Sequence, residues 1–169
     1  MRKQDSYQRR RSASCWLTLT AMLAFASHAE AEGRVYDYVD AGSYLRNEAA
    51  VQVWHGLRQR LRVEFDQICG DTFCEGEYSN IQSLGFLCSA DRASGLVGQC
   101  VWLFAGSQEE IDPASGRVYV QARSWQCQIP LAPRTAMEAL LSLSDADSVL
   151  HAPLPGTQAS IYDGLMACL

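Results

Sequence analysis

A short acidic segment between two cysteines holds the densest group of side chains that could do chemistry. Residues 69–78 read CGDTFCEGEY. Counting the aspartate just before this segment, the carboxylates within twelve positions are Asp66, Asp71, Glu75 and Glu77. Calcium prefers several oxygen ligands around a flexible turn, and Gly70 and Gly76 would permit such a turn. Two carboxylates held at a fixed separation could instead serve as acid and base in glycoside hydrolysis.

Two simpler interpretations of this acidic loop stand beside the chemical ones. The spacing is not that of an EF-hand, whose ligands alternate through a twelve-residue loop closed by a glutamate. The loop is then either a solvated connection closed by a disulfide or a surface that binds a basic partner. In the second case Tyr78 is the expected exposed contact residue, because tyrosine is favoured at interfaces.

Two arginines on the preceding segment form a second candidate site. Arg58 and Arg62 are four positions apart, one turn of a helix, and could together hold an anionic group. The alternative is a solvated helix face on which Arg62 pairs with Asp66, also four positions away.

The N-terminus predicts export. A basic stretch precedes the apolar run 15–26, CWLTLTAMLAFA, and small residues then follow in the arrangement that signal peptidases accept. We predict a signal peptide over residues 1–31, cleaved after Ala31 or Ala29, and a single domain over 32–169. The apolar run is too short to span a bilayer comfortably, and an uncleaved anchor is the alternative. No second apolar segment approaches membrane length, so no membrane span is expected after cleavage. The expected location is the periplasm or the cell exterior.

Charge limits the partners of the predicted mature chain. Residues 32–169 hold nine arginines, no lysine and 17 Asp and Glu, a net charge of 9 − 17 = −8. A chain this acidic is not expected to bind nucleic acid or an anionic membrane surface. It permits cations or a basic protein partner, and a protein partner that the sequence does not identify is the expectation.

The cysteines predict a disulfide framework. Six remain after residue 31, an even number, which in an exported chain favours three disulfides over a metal site. Six cysteines allow 15 connectivities, and sequence alone does not select one of them. We predict a first bond within the acidic loop, a second across a strand turn and a third tethering the C-terminus: Cys69–Cys74, Cys88–Cys100 and Cys127–Cys168.

One long amphipathic helix is the clearest predicted element. Apolar residues recur at spacings of three and four from Ala50 to Ile68, which is typical of one buried helix face. Ser43 or Asn47 can cap its start, and Gly70 is a suitable residue on which to leave the helix near Cys69.

An antiparallel meander is predicted next. Strands are expected over 84–88, 96–106 and 117–129, with a turn at 112–116 and a short strand or extended lead-in within 33–42. The second of these strands is apolar on both faces and should be central. Two short helices should follow, capped by Thr135 and Thr157.

Together these elements predict an α+β domain: one long helix packed on an antiparallel meander of three to four strands, with short C-terminal helices, stapled by disulfides. The element order is similar to that of cystatin-like folds, in which a curved antiparallel sheet cradles a helix. The resemblance covers element order alone and implies no site residue and no activity. The predicted function is a small exported binding or interaction protein; the alternatives are an extracytoplasmic hydrolase using the loop carboxylates and a calcium-binding accessory protein.

Overall fold

A computed structural model describes residues 35–169, and the predicted signal peptide lies outside the described residues. The strands are β1 Tyr38–Asp40, β2 Gln82–Asp91, β3 Val97–Ile111 and β4 Val118–Gln128. The helices are α1 Ala41–Tyr44, α2 Glu48–Cys69, α3 Met137–Leu141, continued by a 3-10 turn Ser142–Asp145, and α4 Ile161–Met166. The predicted α+β class, one long helix with an antiparallel sheet, is confirmed.

The long helix α2 begins and ends close to the predicted positions. The side chain of Asn47 accepts the Ala49 N–H and caps the first turn. The predicted apolar face is buried at its centre, where Leu61 and Phe65 are fully covered. The helix ends at Cys69, but Gly70 keeps a right-handed conformation with φ of −61°. The chain therefore turns away through the bond from Cys74 N–H to the Cys69 carbonyl, not through a left-handed glycine.

The sheet is an antiparallel meander in the order β1-β2-β3-β4. β3 is central, as its apolar character on both faces predicted. One face of β3 packs toward α2: the ring centroids of Trp102 and Phe104 lie 5.7 Å and 4.7 Å from that of Phe65. On the opposite face, Val101 and Leu103 are only partly buried. The helix and one sheet face thus form the core.

All three predicted disulfides are present: Cys69–Cys74, Cys88–Cys100 and Cys127–Cys168. Cys88 and Cys100 are directly opposite each other in the β2–β3 register. The bond to Cys168 fixes the end of the chain to β4 just beyond α4.

The predicted caps of the two short C-terminal helices are wrong. Thr135 is buried and donates its hydroxyl to the Ala132 carbonyl, and no side chain caps α3. The cap of α4 is Ser160, not Thr157. Ser160 and Asp163 form a reciprocal capping box, in which the backbone N–H of each is accepted by the side chain of the other.

The ion pair on α2 also differs from the prediction. Within residues 35–169, Arg62 and Asp66 form no ion pair; the helix pair is Arg60–Glu64, at 3.3 Å. Arg60 also donates to the carbonyls of Ser144, Ala146 and Asp147. The pair therefore fastens the loop before residue 150 to the side of the helix.

Glu64 gives this attachment a pH dependence. Burial raises the pKa of Glu64, but bonds from the Leu150 N–H, the Ser148 hydroxyl and the Val149 N–H, with the Arg60 charge, together hold it below its usual 4.5. A depressed folded-state pKa contributes stability above the unfolded pKa and loses it as pH falls through the folded one.

We expect Glu64→Gln to lower the free energy of unfolding at pH 7 by about 1–3 kcal/mol, because it removes the charged acceptor of several bonds. The free energies of unfolding of wild type and of Glu64→Gln should converge as pH falls below 4.5. Urea denaturation at pH 7 and in acid measures both effects. Glu110→Gln, at an exposed position in β3, is the control. A difference from wild type that persists in acid would contradict the assigned cause.

The hairpin of β3 and β4 is longer than the helix that covers it. β3 has 15 residues and α2 has 22. At about 3.3 Å per strand residue and 1.5 Å per helix residue, these lengths are about 50 Å and about 33 Å. The hairpin therefore projects past the core. We call residues 107–122, which include the predicted turn at 112–116, the hairpin arm.

Candidate functional site

The acidic loop is held from beneath by an aromatic side chain. Cys69 and Cys74 close it, with their Cα atoms 5.1 Å apart. Between them, Phe73 is half-buried; its ring stacks on that of Phe65 at 6.0 Å and makes a tilted contact with that of Tyr162 at 5.9 Å. The loop thus has a defined shape, with its apolar member inward.

The four candidate carboxylates, one near the end of α2 and three in the acidic loop, are exposed to solvent. They are Asp66, Asp71, Glu75 and Glu77. Within residues 35–169, none of their carboxylate groups has an ion-pair or hydrogen-bond partner. In the same residues, no group of three or more His, Cys, Asp or Glu is placed to hold a metal ion. A general acid in a glycosidase sits in a less polar environment than these exposed groups do.

Tyr78 is not the exposed contact residue that the sequence suggested. It is half-buried and its ring meets Trp125 edge-on at 5.3 Å. The Arg123 guanidinium lies over both rings, at 5.1 Å from Trp125 and 5.9 Å from Tyr78. Tyr78 therefore packs the end of the loop onto β4.

Arg58 and Arg62 are brought together at a cavity between α2 and β2 of about 360 Å³. Arg58 is half-buried, with its guanidinium 5.9 Å from the Trp54 ring centre, and Arg62 is exposed. The loop carboxylates are absent from the lining of this cavity. The two predicted sites are therefore separate features of the surface.

The hairpin arm is a feature that the sequence-based predictions missed. Ile111, Val118 and Val120 are 67%, 61% and 61% exposed, and Tyr119 is half exposed. Ile111 and Val118 are cross-strand neighbours. Val120 lies two positions along β4 on the same face, because side chains alternate along a strand. A strip of β-branched side chains therefore lies in water.

The free edge of β4 can be located from two hydrogen bonds at the ends of the β3–β4 ladder. Asp112 N–H donates to the Arg117 carbonyl, and Ile129 N–H donates to that of Cys100. Bonding alternates along an antiparallel pair, so odd-numbered β4 residues bond to β3. The even-numbered residues of β4 therefore direct their backbone N–H and C=O groups away from β3; these are Val118, Val120, Ala122 and Ser124. Within residues 35–169, no strand pairs with this edge.

Comparisons with protein-family models, with curated proteins and with solved structures found no match to this chain. In the part of the chain that the structure describes, no helix combines the length and apolar character needed to cross a bilayer.

The length of the strand pattern beside the turn at 112–116 is the sequence signal that could have predicted the hairpin arm. Residues 117–122, RVYVQA, extend an alternating strand whose core-facing segment is already as long as the helix above it. β4 also has no lysine or proline, the residues that natural edge strands commonly use to prevent pairing.

Proposed function

We propose that this protein is a small exported binding protein that takes up an extended segment of a protein partner along the free edge of β4. The observation that carries the proposal is the hairpin arm: outward main-chain groups and exposed β-branched side chains occur on the same residues. Strand addition uses main-chain bonds for affinity and alternate side chains for specificity. An unprotected edge of this kind is otherwise an aggregation hazard.

Export is supported by two separate features. All six cysteines of residues 35–169 are paired in disulfides, which persist in oxidising compartments and are rare in the cytosol. The basic and apolar start of the chain has the order of a signal peptide. The periplasm and the cell exterior both fit.

The acidic loop supports a basic partner in this proposal. The four unpaired candidate carboxylates and the net charge of 9 − 17 = −8 over residues 32–169 favour approach of a cationic protein. The hydrolase and calcium alternatives gain no support, since both need carboxylates that converge, and these are exposed and unpaired.

The test is affinity capture from the envelope extract and culture medium of the source cell, with two variants beside wild type. The arm variant carries Val118→Lys and Val120→Lys, because edge lysines oppose strand pairing. The loop variant carries Asp71→Ala, Glu75→Ala and Glu77→Ala. We expect the arm variant to lose a partner that wild type retains. The loop variant should retain that partner more weakly, because it lacks three of the carboxylates that favour a cationic protein. All these positions are exposed, so changes in stability should stay within about 0.5 kcal/mol.

Amide hydrogen exchange then identifies the mode of binding. With the captured partner added, the N–H groups of Val120 and Ala122 should gain protection, because they point away from β3. Those of Tyr119 and Gln121, already bonded to β3, should change little. A partner held by the arm variant and lost by the loop variant would refute the proposal and make the acidic loop the interface.

A further inference from the structure

The cavity between α2 and β2 combines a helix face of hydrogen-bond donors with a partly apolar floor. Four positions of α2 at spacings i, i+3, i+4 and i+7 form one wall: His55, Arg58, Gln59 and Arg62. The opposite side is lined by residues of β2 and by Trp102 of β3: Ser83, Leu84, Gly85 and Phe86. The volume of about 360 Å³ is that of a small ligand site.

Its two arginines have no anionic partner among residues 35–169. Neither Arg58 nor Arg62 makes an ion pair or a hydrogen bond there, and no carboxylate lines the cavity. Arg60, on the neighbouring face of the same helix, is by contrast fully engaged by one carboxylate and three carbonyls. Two like charges four positions apart destabilise a helix slightly. An acidic chain thus places two unpaired cations at one concave site.

A bulge in β2 shapes the sheet side of the cavity. The β2–β3 register shifts between Ser83 and Gly85, which leaves Leu84 without a cross-strand partner and 63% exposed at the rim. Bulges of this kind often re-aim side chains beside binding sites. The Trp102 Nε1–H donates to Ser83 Oγ at 2.8 Å, so the hydroxyl hydrogen of Ser83 remains free to donate.

We propose that this cavity binds a small organic anion. Its carboxylate or phosphate group is held by Arg58 and Arg62, and its apolar part lies against Leu84 and Phe86. Guanidinium groups match the geometry of both oxyanions, with paired N–H groups aimed at paired oxygens. The proposal is independent of strand addition at β4, because the cavity and the hairpin arm share no residue.

The test is isothermal titration of the oxidised protein at low ionic strength with phenyl phosphate, benzoate, inorganic phosphate and benzyl alcohol. We expect saturable one-to-one binding of at least one of the two organic anions, weaker binding of inorganic phosphate and none of the neutral alcohol. Tighter binding of phenyl phosphate or of benzoate assigns the phosphate or the carboxylate group. The Trp102 Nε1–H resonance should shift, because its acceptor Ser83 lines the cavity.

Substitutions decide whether the cavity is responsible. Arg62→Gln should weaken binding about tenfold or more. Arg62→Lys should restore only part of the affinity, because the lysine ammonium is a point charge whereas the guanidinium presents paired N–H donors in one plane. Arg117→Gln, an equal charge change on the exposed hairpin arm, should have no effect. Absence of saturable binding by either organic anion, equal affinity for inorganic phosphate, or an equal loss in Arg117→Gln would each overturn the proposal.

Discussion

Replacing Cys127 and Cys168 by alanine should lower the free energy of unfolding by about 4 kcal/mol. The bond closes a loop of 41 residues, the longest of the three. Under the chain-entropy relation, opening a loop of that length raises the conformational entropy of the unfolded chain and so stabilises it by about 4 kcal/mol. Cys127 is fully buried, so its replacement by alanine also removes packing contacts, which lowers the free energy of unfolding slightly further. Urea denaturation of wild type and variant measures the difference.

The bond at Cys69–Cys74 provides a matched control. It closes a separation of only five residues, for which the same relation gives about 2 kcal/mol. The double alanine variant of that bond should therefore be the milder of the two. The reverse order would mean that the acidic loop, not the C-terminal tether, dominates disulfide stabilisation, and would contradict the loop-length explanation.

The C-terminal bond also bears on the proposed binding edge. α4 packs beside the last residues of β4: an added side-chain carbon at Gly164 would lie 3.1 Å from the Gln128 carbonyl. Breaking the Cys127–Cys168 bond should loosen the packing of α4 on β4. The free edge of β4 that is open to a partner should then be longer. In the proposed mode of binding, the tethered helix therefore covers the end of the β4 edge near Gln128.

The fold was predictable from sequence where one periodic pattern decided an element. The spacing of apolar residues on α2 and the alternation in β3 each reflect a single buried face. The Cys88–Cys100 bond was predicted from nearly mirrored distances to one turn, and facing strand residues are close enough to bridge. The Cys127–Cys168 bond was predicted only from the position of Cys168.

The features that the predictions missed are of two kinds, local and distant in sequence. Thr157 and Ser160 are both plausible caps of α4, and the local capping box with Asp163, three positions on, selects Ser160. Arg60 and Glu64 pair four positions apart, as Arg62 and Asp66 could have done; the deciding partners lie more than eighty positions away. Such choices are made by tertiary contacts, which local patterns do not encode.

The candidate sites show the same contrast between what local sequence predicts and what distant contacts determine. Residue types marked the carboxylates and the Arg58–Arg62 pair as candidate sites, but not what surrounds them. Tyr78 is packed on Trp125 because β4 passes beneath the loop, a neighbour that lies 47 positions further along the chain. The cavity beside Arg58 needs the bulge in β2. Composition alone cannot place either neighbour.

Replacing Phe65 by alanine should lower the free energy of unfolding by about 3–5 kcal/mol, the range for a large aromatic removed from a packed core. Phe65 is fully buried at the centre of the helix–sheet contact. Its ring lies 4.7 Å from Phe104, 5.7 Å from Trp102 and 6.0 Å from Phe73. Since α2 and the sheet enclose these rings together, they cannot collapse far into the vacated space. Chemical denaturation of the oxidised protein measures the loss.

Two substitutions separate the loss of packing from a general effect on the helix. Phe65→Leu keeps most of the volume and should cost less than half as much, since volume-conserving changes are tolerated best, at under about 1.5 kcal/mol. Ile68→Ala, three positions along at a half-buried site, should fall between the two. Phe65→Ala should also free Phe73 and speed proteolysis within residues 69–78, because the stacked ring that holds the acidic loop from beneath is lost. Equal costs for the three variants would contradict the assignment of the loss to the aromatic contact, since all three changes favour the helix intrinsically and differ only in the packing that they remove.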